Sequence, residues 1–290
     1  MDTRVIRTRD YGERWEEAPT LEAALSAGPQ ESTRREFAAL EAISTAVAGG
    51  KVAGLAAVAP VGYLAAANAV VTERLDAVPL RSRLGSLPGA ERRHAEVLRR
   101  AGAWLRLYHE QAAGARPGRL DGCALAAERE GLAARPGAAG AALQRRLASA
   151  AARFRERDGV AAVVGPAHGD FNLANVLVTP DGRVAGLDPN LVPGPVLEDA
   201  AKFLTDLRLR RVRLVTRGRL GRRALAVGEA AFLEGYGVAD RDLLASLRAA
   251  AVLRRWVEIE ERLAGMPVLV RRPAAALVRS YLAGESSSAG

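Results

Sequence analysis

Apolar residues recur at helical spacing through most of this 290-residue chain and at strand spacing in only a few short places. The segment STRREFAALEAISTAV places Phe37, Leu40, Ile43 and Val47 three or four residues apart, the stripe of an amphipathic helix. Thr33 followed by Glu36 reads as a capping box that opens it. HAEVLRRAGAWLRLYHEQ aligns Val97, Leu98, Ala101, Leu105 and Tyr108 on one face of a second helix. Further helical patterns lie in ALQRRLASAAARFRER, LEDAAKFLTDLRL, RALAVGEAAFLEGYG and LLASLRAAAVLRRWVEIEERL. Strand-like pieces are RVIRTR near 4–9, NAVVTERL near 68–75, and the pair NVLV and RVAGLD joined by the turn TPDG. Residues 114–140, rich in Gly, Ala and Pro, read as a loop or insertion, and the tail GESSSAG as disordered. The outline is a small mixed N-terminal piece, residues 1–72, then a larger helical piece, 73–283, that carries the hairpin, with 284–290 as the tail.

Composition changes this picture in three ways. A hydrophobic fraction of 49% and a mean hydropathy of -0.01 fit a globular chain. The least polar stretch, VAGLAAVAPVGYLAAANAVV, is cut by Pro60, Gly62 and Asn68 and falls short of the ~18 apolar residues of a membrane span. Cys123 is the one cysteine, which excludes an internal disulfide, and MDTRVIRTRDYGER lacks the apolar segment of a secretory signal. Both features point to the cytoplasm.

The net charge is +9, and all but Lys51 and Lys202 of the 42 basic residues are arginine. Eight arginines crowd into Arg208–Arg223. An anionic or membrane surface is one reading of that cluster, and a solvated helix face followed by a loop is the other. No aromatic residues interleave with it and no nucleic-acid motif is present, so nucleic acid is not an expected partner.

The unusual stretch is HGDFNLANVLVTPDGRVAGLD, residues 168–188, a polar island between apolar runs. Asp170 precedes the first strand of the hairpin, Asn175 opens it, and Asp188 closes the second strand. A tight hairpin returns its far end to its start, so Asp188 is expected beside Asn175 and Asp170. Two carboxylates and an amide carbonyl form a hard oxygen set that suits Mg²⁺ with substrate phosphates. Zinc is disfavoured, because His94, His109, His168 and Cys123 have no ligand spacing. A turn-rich hairpin that uses Asp and Asn for capping explains one of the three residues but not all of them.

HGDFNLANVL followed by GLDPN resembles the catalytic loop and metal-binding segment of the aminoglycoside phosphotransferase/choline kinase superfamily, relatives of the protein kinases. GAWLRLYHEQ is similar to the family's helix ahead of that loop, and VVTERLDAVPL to its hinge. The likeness extends over roughly residues 68–235. It implies an α+β, two-lobed protein-kinase-like fold, with a small truncated α/β N-lobe and a larger, mostly helical C-lobe containing the catalytic hairpin. It implies ATP and Mg²⁺ as cofactors and a small-molecule hydroxyl as acceptor. By the same resemblance Asp170 orients the acceptor hydroxyl and takes its proton, while Asn175 and Asp188 hold the metal. Hinge groups around Val71 and Glu73 pair with the adenine. His168 braces the catalytic loop from within, against the other reading of it as a general base. Asp199 either buttresses that loop or is an acidic first-turn residue favoured by the helix dipole.

The front of the pattern is incomplete. No glycine-bearing phosphate hairpin precedes RVIRTR, and no lysine occurs before Lys51, which lies in GGK without the remainder of a P-loop. Arg7 is the nearest stand-in for the missing lysine, although a planar guanidinium is not equivalent to an ammonium. Its acidic partner would be Glu36, equally explained as an arm of the capping box, or else Glu41.

The leading expectation is therefore an ATP-dependent phosphotransferase acting on a sugar, amino alcohol, antibiotic or lipid-linked sugar. The positive charge argues against a polycationic acceptor, whereas Glu258, Glu260 and Glu261 are candidates for recognising a cation. The alternatives are a catalytically impaired kinase-like nucleotide-binding or scaffold protein and a basic binder of acidic surfaces.

Overall fold

A computed structural model of the chain describes residues 5–8, 31–50, 52–64, 69–84, 90–112, 114–138, 140–209 and 222–265. Its elements are β1 (Val5–Thr8), α1 (Glu31–Ala48), β2 (Pro60–Leu64), β3 (Ala69–Thr72), β4 (Val78–Pro79), α2 (Ala90–Leu107) and β5 (Arg116–Arg119). There follow α3 (Gly122–Ala133), α4 (Ala141–Glu156), β6 (Ala161–Ala167), β7 (Val176–Val178), β8 (Val184–Gly186) and β9 (Val192–Pro195). The last elements are α5 (Leu197–Leu209), α6 (Arg222–Tyr236) and α7 (Arg241–Ala264). Lys51, the tail 284–290 and residues 210–221 of the arginine cluster lie outside the described residues. None of the described helices is long and apolar enough to cross a membrane.

The chain forms two compact units. The first comprises Met1–Ala115, Gly165–Pro193 and Leu220–Val238. Its sheet runs β1-β3-β2, antiparallel throughout, with β3 buried along its whole length. β2 lies inside the alanine-rich stretch and has no clear period-two signal. It pairs at an outer position, where a register shift falls between Pro60 and Gly62. Proline lacks the N–H for a ladder bond, so an outer, irregular position is the one it tolerates.

α1 buries the predicted stripe through Leu40 and Ile43, with Ala39 and Ala46 filling the close approaches. The capping box is not formed. The helix already runs from Glu31, so Thr33 lies within its first turn, and its buried hydroxyl has no hydrogen-bond partner among the described residues.

A second sheet in this unit runs β4-β7-β8. Leu55 adds a parallel bridge to Val184, with Ala56 N donating to Val184 O at 2.8 Å and Val184 N to Gly54 O at 3.1 Å. α2 buries Leu98, Ala101, Leu105 and, in the π-helical turn Tyr108–Ala112 that continues it, Tyr108. α2 and α6 touch backbone to backbone at Gly102, where a Cβ would meet the Phe232 carbonyl oxygen at 2.1 Å.

The second unit comprises Arg116–Val164, Gly194–Arg219 and Ala239–Gly290. Here the reading of residues 114–140 as a loop is overturned: β5 pairs antiparallel with β6 from Arg116↔Val164 to Arg119↔Ala161, and α3 follows. Composition misleads at this point because the helix uses small residues for close packing. Ala126 is fully buried, and a Cβ on Gly122 would lie 2.1 Å from the Phe154 carbonyl oxygen. The helix start is capped twice. The Asp121 carboxylate accepts from Ala124 N at 2.7 Å, and Asp158 accepts from Gly122 N at 2.8 Å. α3, α4, α5 and α7 share a core that includes Leu132, Leu143, Leu147, Leu209, Leu253 and Trp256.

Within that unit the Arg129 guanidinium is buried 5.6 Å over the Phe154 ring and beside Glu128 at 2.6 Å. Burial pulls its pKa below the ordinary arginine value, while Glu198 opposes that shift. Glu198 in turn pairs with Lys202 at 3.3 Å. Asp121→Ala should lower the unfolding free energy by about 1 kcal/mol, read from the denaturant midpoint. An unstructured loop at this position predicts no change.

Candidate functional site

The polar island folds as a turn followed by a two-stranded ribbon. β7 and β8 pair from Val176↔Gly186 to Val178↔Val184, and the TPDG turn closes with Thr179 N on Arg183 O and Gly182 N on Thr179 O, both at 3.0 Å. The Thr179 hydroxyl and the Arg183 guanidinium donate to the Asp181 carboxylate and hold its pKa below the usual range. The ribbon therefore has a fixed register, and its far end returns to residue 175.

Asp170 and Asn175 meet at this open end, and the backbone of Asp188 returns to the same loop. Asn175 is buried, and its side-chain amide donates to Asp170 Oδ2 at 2.7 Å and to the Asp170 carbonyl at 3.0 Å. Donation through nitrogen leaves the Asn175 side-chain oxygen directed away from that carboxylate. Asp170 itself is exposed. Asp188 is bracketed by two backbone bonds to the same loop: Leu187 N donates to Asn175 O at 2.9 Å, and Asn190 N to His168 O at 2.7 Å. Its φ of 67° is a left-handed conformation that a non-glycine residue adopts only under local constraint. Asn175 and Asp188 thus supply hard oxygens of the type Mg²⁺ accepts, a donor set that fits that ion together with phosphates. No cluster of three or more His, Cys, Asp or Glu side chains suited to a metal occurs among the described residues.

His168 is fully buried among Trp104, Tyr108 and Phe171, with ring centroids 5.3–6.1 Å away. A ring so enclosed has no approach to an acceptor hydroxyl, and the general-base reading lacks the reach it requires. Trp104, not singled out in the sequence, organises this wall. It stacks on Tyr108 at 5.5 Å and on Phe171 at 5.8 Å, and its indole N–H donates to the Ala56 carbonyl at 3.1 Å. It also lies against Gly186, where a Cβ would come within 2.3 Å of the indole ring. Four-residue spacing from Tyr108 was the available signal for it.

The segment expected to be the hinge follows β3 and runs to β4, which pairs with the ribbon. β3 ends at Thr72, and Glu73 N donates to Ala59 O at 2.8 Å. Val71 is buried, whereas Glu73 is exposed. β4 then pairs with β7 through Val78↔Val178 and Pro79↔Leu177, and Arg81 N donates to Leu173 O at 2.9 Å. Arg7 lies on β1 opposite Val70, and Glu36 is buried on α1.

Asp199 belongs to the second unit, in the first turn of α5, and is fully buried. The three glutamates proposed to meet a cation are on α7 in that unit, where Trp256, Glu260 and Glu261 line a cavity of about 400 Å³. Each already has a partner: Glu258 accepts from Arg255 at 2.6 Å, Glu260 from the Trp256 indole at 3.2 Å, and Glu261 from Arg135 at 2.9 Å. The Arg135 guanidinium keeps the Glu261 carboxyl below its usual pKa. Gly186→Ala should destabilise the protein by about 1–3 kcal/mol, because the new methyl group must displace the indole ring. A melting temperature equal to that of the unmodified protein would remove Trp104 from this role.

No protein-family model matches the chain, and no curated protein matches it. Solved structures do. A glucosamine kinase in complex with glucosamine, ADP and inorganic phosphate superposes with a TM-score of 0.57 at 18% identity, covering 91% of this chain and 68% of that one. Another crystal form of a glucosamine kinase gives 0.56 at 19% identity, with 90% and 71% covered. A weaker likeness, 0.47 at 12% identity over 89% of this chain and 84% of the other, is to choline kinase LicA from Streptococcus pneumoniae. The chain therefore has the mixed helix-and-strand, kinase-like fold of the glucosamine kinase.

Proposed function

We propose that this chain is an ATP-dependent phosphotransferase that moves the γ-phosphoryl group to a hydroxyl of a small molecule. One observation carries the reading. An exposed carboxylate, Asp170, is clamped by the Asn175 amide at the mouth of a ribbon whose other end delivers Asp188. Phosphoryl transfer asks a protein mainly for positioning and charge neutralisation; this sparse set supplies the first directly and would supply the second through the cation it holds.

In the proposed reaction the acceptor oxygen forms a bond to the γ-phosphorus and the bond to the β–γ bridging oxygen breaks. ADP leaves with that electron pair, and the hydroxyl proton passes to Asp170. Mg²⁺, when bound, neutralises charge on the nucleotide phosphates. Asn175 and Asp188 are the residues that would hold it, each through a side-chain oxygen. The Glu73 N–H is already bonded to Ala59, so an adenine edge would meet the Glu73 carbonyl and the N–H groups that follow it. Arg7 on β1 and Glu36 on α1 take the place of the lysine–glutamate pair. His168 braces the catalytic loop from within, among the rings of Trp104, Tyr108 and Phe171. The reading includes an N-terminal lobe ending near residue 72, a cytoplasmic location, and an acidic-surface contact through the arginines of 208–223.

The acceptor class is a sugar, amino alcohol, antibiotic or lipid-linked sugar. Glucosamine is the first compound to try, because the structurally similar kinase was solved with glucosamine and ADP bound. Purified protein with Mg²⁺-ATP, glucosamine, choline and a panel of other hydroxyl compounds should produce ADP in step with a phosphorylated acceptor. Asp170→Ala should cut turnover by about 10²–10⁴-fold with an unchanged melting temperature. Full turnover in that variant would exclude the proton-accepting role. Nucleotide binding without turnover in the unmodified protein would favour the impaired, nucleotide-binding alternative.

A further inference from the structure

The second asparagine of the polar island, Asn172, has no part in the scheme above, and its contacts divide cleanly into two halves. Its side-chain oxygen accepts from Ala174 N at 2.8 Å and from Asn175 N at 3.2 Å, the closure of an Asx turn. Its side-chain nitrogen donates to Asp170 Oδ1 at 2.7 Å and to the Asp170 carbonyl at 3.2 Å. The amide cannot be flipped without losing both sets, because two backbone N–H groups require an oxygen and a carboxylate requires a donor.

The Asp170 carboxylate is thus held at both oxygens by amides from opposite ends of one turn: Oδ1 by Asn172 and Oδ2 by Asn175. Two fixed donors on two oxygens set the plane of the carboxylate as well as its position. One donor alone would leave it free to rotate about its Cβ–Cγ bond. Orientation matters here because a proton acceptor works only within hydrogen-bond reach and along a lone pair.

We infer that Asn172 is a positioning residue for Asp170, using its amide nitrogen to orient the proton-accepting carboxylate while its oxygen closes the turn. This rests on the phosphotransferase reading above. Both amide donors come from one turn, so the orientation is built into the loop before any substrate arrives. The acceptor hydroxyl and the nucleotide then meet a carboxylate that needs no reorganisation.

The two halves of the amide can be separated by substitution. Asn172→Asp keeps an oxygen for the turn but replaces the donor to Asp170 by a second carboxylate oxygen. Asn172→His supplies a ring N–H in place of the donor. Asn172→Ala removes both. Phosphoryl transfer from Mg²⁺-ATP is measured to glucosamine, or to water if glucosamine is not an acceptor, alongside melting temperature and KM for ATP.

The expected result is a fall in kcat of about 10- to 100-fold in Asn172→Asp and Asn172→Ala, the loss of one hydrogen bond to a charged group. KM for ATP should stay within about twofold, since the nucleotide makes no use of this bond. Asn172→His should recover part of kcat relative to Asn172→Ala. Should Asn172→Asp prove unstable, the comparison of Asn172→His with Asn172→Ala at matched melting temperature decides the question. Unchanged kcat in Asn172→Asp, or losses that follow melting temperature with no recovery by histidine, would reduce Asn172 to a turn residue and overturn the inference. Asp170→Ala run beside these variants keeps the two ideas apart. If that variant is inactive while Asn172→Asp is fully active, only the positioning role fails, whereas an active Asp170→Ala removes the parent reading.

Discussion

One indole ring carries much of the first unit. Trp104 is almost wholly buried, yet it has partners from four separate stretches of chain: Ala56 through its N–H, Tyr108 and Phe171 through its faces, and Gly186 through its edge. A helix, the ribbon, the loop before it and the segment following α1 are thereby referred to one rigid plane. Aromatic side chains suit this task because they bury large areas and have few rotamers to freeze. Close packing of this kind transmits displacement instead of absorbing it, so the positions of Asp170 and Asp188 follow from that of Trp104.

The loop itself adds a different kind of order, made from polar groups. Its backbone visits left-handed conformations at Gly169, Asp188 and Leu191, with φ of 81°, 67° and 53°. Such values cost energy for side chains other than glycine and persist where neighbours over-determine them. Here the neighbours are backbone bonds from Leu187 to Asn175 and from Asn190 to His168, together with the packing of Val192 against Gly169. The carboxylates are thus presented by a strained frame whose strain is balanced by hydrogen bonds and an aromatic wall.

How much of this was legible in the amino-acid sequence depends on how local the cause is. The ribbon could be read because a TPDG turn between two apolar runs fixes its register, and fixed register brings residue 188 back to residue 175. Helices with clear stripes, α1 and α2 among them, could be read for the same reason. Residues 114–140 could not. Alanine and glycine look like loop material in isolation, and only contact with Phe154 and the carboxylates of Asp121 and Asp158 makes them a helix. The capping box at Thr33 failed because α1 begins before it, and nothing local to that tetrapeptide reveals where the helix starts. Trp104 and Asn172 were passed over because their importance lies in partners. Those of Trp104 are up to 82 residues away in sequence, and those of Asn172 are two backbone N–H groups together with the carboxylate and carbonyl of Asp170, an arrangement that only the folded turn makes.

The parallel bridge between Leu55 and Val184 has a mechanical consequence for the helix that precedes it. α1 ends at Ala48, and a few residues later the chain is stitched to the ribbon by two backbone bonds. A rod tethered at one end swings rather than slides. Glu36 stands twelve residues from the tethered end, about 18 Å along the axis at 1.5 Å per residue. A tilt of only about 5° around that fulcrum carries Glu36 through an arc of roughly 1.6 Å while leaving the ribbon undisturbed.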